Sequence, residues 1–173
     1  MKKLSILFVL LMIISPIFSQ DEKTAEIIFD ENVNQDVLIG YCTIDTLIAS
    51  PVAYWFDSEY DSYSLDERAL SEVNPGLIPD LEILIVLGTW CSDSQREVPR
   101  FIKIAESLDM ESGQIIILGV NSNKTAGEVS VSSMNVELVP TFIFYYKGNE
   151  IGRIIESPEK SLEKDIVKII SSI

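Results

Sequence analysis

Residues 81–99 read LEILIVLGTWCSDSQREVP. The run from Leu81 to Leu87 has strand length and is too continuously apolar for a strand with one wet face, so it predicts a buried central strand. Gly88 and Thr89 break the run, and Trp90 and Cys91 follow. Val98, Phe101, Ile102, Ala105 and Leu108 then recur at spacings of three and four, which is the mark of a helix face, with Ser112-Gly113 as its exit. A single thiol therefore stands where a buried strand hands over to an amphipathic helix.

Working outward, IIILGV at 115–120 is a second buried strand, and a strand, a helix and a strand of these lengths imply a parallel, right-handed crossover. Residues 121–135 are small and polar and predict a loop with a short helix. TFIFYY at 141–146 and EIGRII at 150–155, joined by Lys147-Gly148-Asn149, read as an antiparallel hairpin. Ser157-Pro158 opens a last helix whose Leu162, Ile166, Ile169, Ile170 and Ile173 share a face. The order is that of an α/β fold, a mixed sheet with helices on both faces.

Upstream, Lys2 and Lys3 precede an apolar run from Leu4 to about Phe18, which has the form of a signal peptide over residues 1–19. That run is shorter than the roughly 20 residues a bilayer span needs. An uncleaved signal peptide is the one expected membrane attachment. Residues 20–80 read as a mostly helical N-terminal extension packed on the core formed by residues 81–173. Within it, 20–40 reads as a partly ordered lead-in, Thr43 caps a short helix, and Asp66 caps another. The acidic stretch at 57–67 lacks the glycine and the terminal glutamate of a calcium loop, and so reads as a solvated loop.

Of the 173 residues, 47% are apolar, enough for one domain with a real core. The formal charge of −14 repels nucleic acid and anionic lipid. Histidine is absent, which removes Ser-His-Asp and Cys-His catalysis and every imidazole metal site. Two cysteines alone cannot hold a structural zinc, and the sequence implies neither a metal nor an organic cofactor.

Four features together resemble the thioredoxin superfamily over residues 81–173: the apolar strand into TWCSDS, Pro99 eight residues past Cys91, VPT at 139–141 ahead of a hairpin, and the amphipathic last helix. The narrower pattern Trp-Cys-x-Asp-Ser followed by REVPRF is similar to exported thioredoxin-like proteins of Bacteroidetes-type bacteria, which implies export, to the periplasm in a Gram-negative source. By this resemblance Cys91 is the exposed nucleophile, Trp90 flanks it, and Pro140 is a cis proline facing it. Val139 would pair through its backbone with an extended substrate segment carrying a protein thiol or disulfide. The sequence also departs from the family. Ser94 replaces the resolving cysteine, Ile85 stands where many members bury an aspartate, and no glycine follows the last strand in Ile155-Glu156-Ser157.

Thiolate is the attacking species in disulfide exchange, and backbone N–H groups at a helix N-terminus favour it. The Ser94 hydroxyl could support the sulfur, and the Asp93 charge opposes it. With no second thiol in the motif, a mixed disulfide on Cys91 is released by an external thiol, is released by Cys42 as a candidate redox partner, or persists. The other reading of Cys42 is a small buried hydrophobe. Arg96 and Glu97 read as solvated helix side chains. The expected activity is thus monothiol protein disulfide exchange, as reductase, isomerase or mixed-disulfide holder. The alternative is a non-catalytic binding or scaffold module that presents Tyr54, Trp55 and Phe56 to a partner.

Overall fold

The computed structural model describes residues 25–127, 129 and 131–173, so the signal-peptide reading of residues 1–19 lies outside the described residues. Six strands form one sheet: β1 (Glu26–Asp30), β2 (Gln35–Cys42), β3 (Leu81–Leu87), β4 (Ile115–Gly119), β5 (Thr141–Tyr146) and β6 (Asn149–Ile155), in the order β1-β2-β4-β3-β5-β6. Only β3 and β4 run parallel, with Ile85 opposite Ile117. β5 lies antiparallel on the other side of β3, with Phe142 opposite Ile85. The α-helices among the described residues are α1 (Ile44–Ile48), α2 (Phe56–Ser62), α3 (Glu67–Leu70), α4 (Ser92–Ser107) and α5 (Leu162–Ile170).

Alternation along β3 divides the interior into two cores. Ile83, Ile85 and Leu87 join the larger one, built with α4, α5 and the N-terminal helices. Leu84 and Val86 join the smaller one, with Leu118, Val120, Val131, Val139 and Ile143. Two-sided burial explains why the strand is apolar at nearly every position. In the larger core Phe101 of α4 stacks on Phe142 with ring centroids 4.7 Å apart and meets Phe144 edge-on at 5.9 Å. The second face of the sheet carries a lighter cover, the segment after β4, which among its described residues has a 3-10 turn at Ser132–Met134.

The reading of residues 20–40 as a partly ordered lead-in is corrected from residue 26 on, and residues 20–24 lie outside the described residues. β1 and β2 form a hairpin, and β2 pairs antiparallel with β4, matching Gly40 with Gly119 and Cys42 with Ile117. Val37, Leu38 and Ile39 are buried as an inner strand requires, although Asp36 before them and Gly40 after them hide that pattern. A methyl group on Gly119 would lie 2.4 Å from the Leu38 carbonyl oxygen, so the two strands pack together only because residue 119 has no side chain.

The last helix also begins later than expected. Ser161 is its N-cap and accepts from the Lys164 N–H, while Asp165 accepts from the Glu159 N–H at 2.5 Å and holds the preceding turn. Trp55 and Phe56 are buried in the larger core, leaving Tyr54 as the exposed member of the trio expected to present itself to a partner. Lys103 of α4 anchors these N-terminal helices by donating to the Tyr60 and Tyr63 carbonyl oxygens, at 2.7 and 2.8 Å, where α2 ends. No helix among the described residues is long and apolar enough to cross a membrane.

Candidate functional site

Cys91 is the N-cap of α4, with extended backbone at φ −91° and ψ 124°. Its N–H donates to the Gly88 carbonyl oxygen at 2.9 Å and its own carbonyl accepts from Gln95 N–H at 3.0 Å, so β3 turns into α4 within four residues. Trp90 lies back against that turn: Nε1 donates to the Val120 carbonyl oxygen at 2.9 Å. A Cβ on Gly88 would come within 2.6 Å of the Trp90 ring, so the indole occupies the space a side chain would take. Thr89 is buried, and its Oγ1 accepts from the Leu38 N–H at 3.2 Å, which fastens the turn to β2.

Across from the turn, the Val139–Pro140 peptide is cis. The Cys91 thiol is half-buried and donates to the Val139 carbonyl oxygen, with Sγ 3.1 Å away. Thr141 Oγ1 donates to the Leu138 carbonyl oxygen at 2.7 Å, and Glu156 N–H donates to the Pro140 carbonyl oxygen at 2.7 Å, so the loop is held on both sides. Trp90, Cys91, Val139 and Pro140 are thus brought together.

Ser94 and Cys42 have other positions. Ser94 is fully buried, and its Oγ accepts from the Gly88 N–H at 3.2 Å; its recorded partner is the backbone of the turn and not the sulfur. Cys42 and Cys91 are both free thiols and pack against different cores, Cys42 with the helix-bearing side of the sheet and Cys91 with the other. The structure does not bring them together. Burial pushes the Cys42 thiol up to about 12, which keeps it protonated at neutral pH and agrees with its reading as a small hydrophobe. Ile85 is fully buried, leaving an apolar side chain at the place of the family's buried acid.

The solvated reading of Glu97 is corrected, while the Arg96 side chain stays 38% exposed. Glu97 is 4% exposed, and its Oε1 accepts from Arg96 Nε at 2.6 Å, with Arg100 Nη1 at 3.8 Å. Arg96 Nη2 also donates to Asp93 Oδ1 at 2.6 Å and to Ser157 Oγ at 3.1 Å. Charge and helical spacing suggested solvent for Glu97, and only the fold reveals that its carboxylate is covered and paired with the guanidinium of a partly exposed Arg96. Glu156, where the family's glycine is missing, nevertheless adopts the left-handed conformation glycine favours, at φ 63°. Among the described residues no group of three or more His, Cys, Asp or Glu side chains could hold a metal ion.

A family model described as thioredoxin matches residues 80–170. A thioredoxin-like protein of Acanthamoeba polyphaga mimivirus is 29% identical over 100 residues, covering 58% of this chain and 67% of that protein. The TPR repeat-containing thioredoxin TDX of Arabidopsis thaliana is 30% identical over 92 residues, covering 53% of this chain and 23% of its own length, so the chain spans under a quarter of that relative. Among solved structures, an HIV epitope-scaffold protein superposes with a TM-score of 0.52 at 12% identity, over 76% of this chain and 93% of that one, a likeness of fold. The family match runs from the start of β3 to the end of α5 and takes in the cysteine turn, the Val139-Pro140 loop and more than half of the sequence: the chain belongs to the thioredoxin family.

Proposed function

We propose that this protein carries out thiol-dependent protein disulfide exchange with Cys91 as its single nucleophile, in the exported compartment to which residues 1–19 would direct it. The observation that carries the reading is the Cys91 thiol at the head of α4, half-exposed and 3.1 Å from the Val139 carbonyl oxygen.

The chemistry balances with one protein thiol. Cys91 loses its proton to solvent, and the thiolate attacks one sulfur of a substrate disulfide. A new S–S bond joins Cys91 to that sulfur as the old S–S bond breaks, and the second substrate sulfur leaves as thiolate. An external thiolate then attacks the substrate sulfur of the mixed disulfide, and Cys91 departs as thiolate. Ionisation also removes the S–H donor from the Val139 carbonyl, freeing that oxygen to accept from a backbone N–H of an extended substrate segment. Trp90 and the exposed Leu138 and Ile155 supply apolar surface for such a segment.

Ser94 cannot take the place of the external thiol, because its oxygen does not form an S–S bond and is engaged by Gly88. The expected partners are therefore protein disulfides together with a small or protein thiol. The resemblance to exported Bacteroidetes-type proteins supports the same compartment, the periplasm for a Gram-negative source, with a membrane role only through an uncleaved signal peptide.

The test is exchange with a mixed-disulfide peptide in the presence of glutathione. Wild type and Cys42→Ser should turn over alike, and Cys91→Ser should fall to the uncatalysed rate. Exchange by Cys91→Ser at the wild-type rate would sink the reading and leave the fold as a binding module.

A further inference from the structure

We propose that Arg96 is a positioning residue for the thiol site: its guanidinium neutralises Asp93, two residues past Cys91, and ties the first turn of α4 to the segment that holds the Pro140 carbonyl. This deepens the proposed thiol chemistry and rests on Cys91 being its reacting group.

The geometry is one fork with three acceptors. Nη2 reaches Asp93 Oδ1 at 2.6 Å and Ser157 Oγ at 3.1 Å, while Nε reaches the buried Glu97 at 2.6 Å. Ser157 follows Glu156, whose N–H donates to the Pro140 carbonyl oxygen at 2.7 Å. One side chain of α4 is therefore connected, through a single hydroxyl and a single backbone bond, to the loop opposite the sulfur. Glu97 is the reason the guanidinium stays in place, since a buried carboxylate without its partner would be costly. A lysine could supply the charge but not the planar fork.

The electrostatic consequence concerns Asp93, whose negative charge at the start of α4 opposes ionisation of the neighbouring thiol. The other charged or titratable groups are Arg96, Glu97 and Arg100 on the same helix, Glu137 two residues ahead of Val139, Glu156 whose N–H holds the Pro140 carbonyl, and Tyr41 and Tyr145, which pack against the same smaller core as Cys91. Burial raises both phenols, so they remain neutral wherever the thiol is assayed. Arg96 is the cation that the structure places on Asp93.

The experiment follows iodoacetamide alkylation of Cys91 against pH in the full chain, in a Cys42→Ser background. In Arg96→Met the rate at neutral pH should fall about three-fold and the profile should move to higher pH, as expected for a nearby carboxylate left without its counter-charge. Adding Asp93→Asn to that variant should restore the profile. Asp93→Asn alone should change the rate less than it does in the Arg96→Met background, because the charge it removes is already compensated. Arg96→Lys, which keeps a cation and serves if Arg96→Met does not fold, should hold the wild-type profile.

A wild-type profile in Arg96→Met overturns the proposal. So does a slowed rate that Asp93→Asn fails to restore, which would mark Arg96 as merely structural, and so does a shift in Arg96→Lys matching the full loss of charge. Alkylation does not depend on disulfide exchange, so these results stand apart from the Cys91→Ser test of the activity itself.

Discussion

Ser94 stands one helical turn past Cys91, where residues three apart on a helix are neighbours. Replacing its hydroxyl by a thiol should supply the missing resolving group: Ser94→Cys is expected to lose two hydrogens in intact mass on mild oxidation and to turn over mixed disulfides without added thiol. Cys42 has the opposite fate. With its thiol pushed up to about 12 by burial, the native protein at pH 8 should take up iodoacetamide at Cys91 and not at Cys42, and the denatured chain at both. A native chain labelled equally at both sites would contradict the burial argument. The cysteine turn and the loop that faces it were legible in the sequence, because the break after a buried strand and the Val-Pro-Thr triplet are local patterns. Glu97 and Glu156 were not, since the first has the charge of a solvated residue and the second has a side chain where the family's glycine would signal the turn.

At the scale of elements, the stretches whose neighbours in sequence carry their pattern were read correctly: β3, α4, β4 and the β5–β6 hairpin. The hairpin turn shows why, with Lys147 and Gly148 at φ 50° and 77°, as a two-residue turn of this hand requires. β2 escaped because β4, which pairs with its second edge, is distant in sequence, and β1 escaped with it because its partner is β2; the clue in β2 is three apolar residues between acidic and glycine-containing flanks. Two substitutions measure these packings by urea denaturation. Phe101→Ala removes a ring stacked on Phe142 and should cost about 3–5 kcal/mol. Gly119→Ala drives a methyl into the Leu38 carbonyl, a backbone atom with little room to move, and should cost about 1–3 kcal/mol. A stability within about 0.5 kcal/mol of wild type in the second variant would mean that β2 and β4 can separate without penalty.

Across the whole molecule, charged and phenolic groups join the N-terminal helices to the family fold. Tyr63 OH donates to Glu163 Oε1 at 2.8 Å and the Asp66 N–H donates to the same oxygen at 3.2 Å, joining α3 to α5. Burial alone would raise the Glu163 carboxyl, but these bonds and its place in the first turn of α5 outweigh it and hold the group below its ordinary value. Asp30 is likewise lowered, chiefly by the Ser122 backbone N–H at 2.7 Å, where the β1–β2 turn meets the loop after β4. Carboxyls depressed in the folded state contribute stability above their unfolded values that is lost as pH falls through the folded ones. The melting temperature should therefore decline below about pH 4, and Glu163→Gln should flatten that decline. The Tyr60 hydroxyl, bonded to Glu106 and also partly buried, is raised to about 12, so its contribution is present below the free phenol value near 10 and is lost as pH rises toward 12.

The strand added by residues 35–42 also decides where this protein can be cut. Residues 81–173 hold the cysteine turn and its facing loop, yet released from β2 they would leave one side of β4 without its ladder and Thr89 without the Leu38 N–H it accepts. An uncovered strand edge is a template for the next chain. Such a fragment should gather into soluble aggregates or sheet-paired oligomers on size-exclusion chromatography, while the chain beginning at residue 20 elutes as a discrete species. A protease that nicks the segment between β2 and β3 and lets the hairpin go would uncover the same edge of β4 and should bring on the same association.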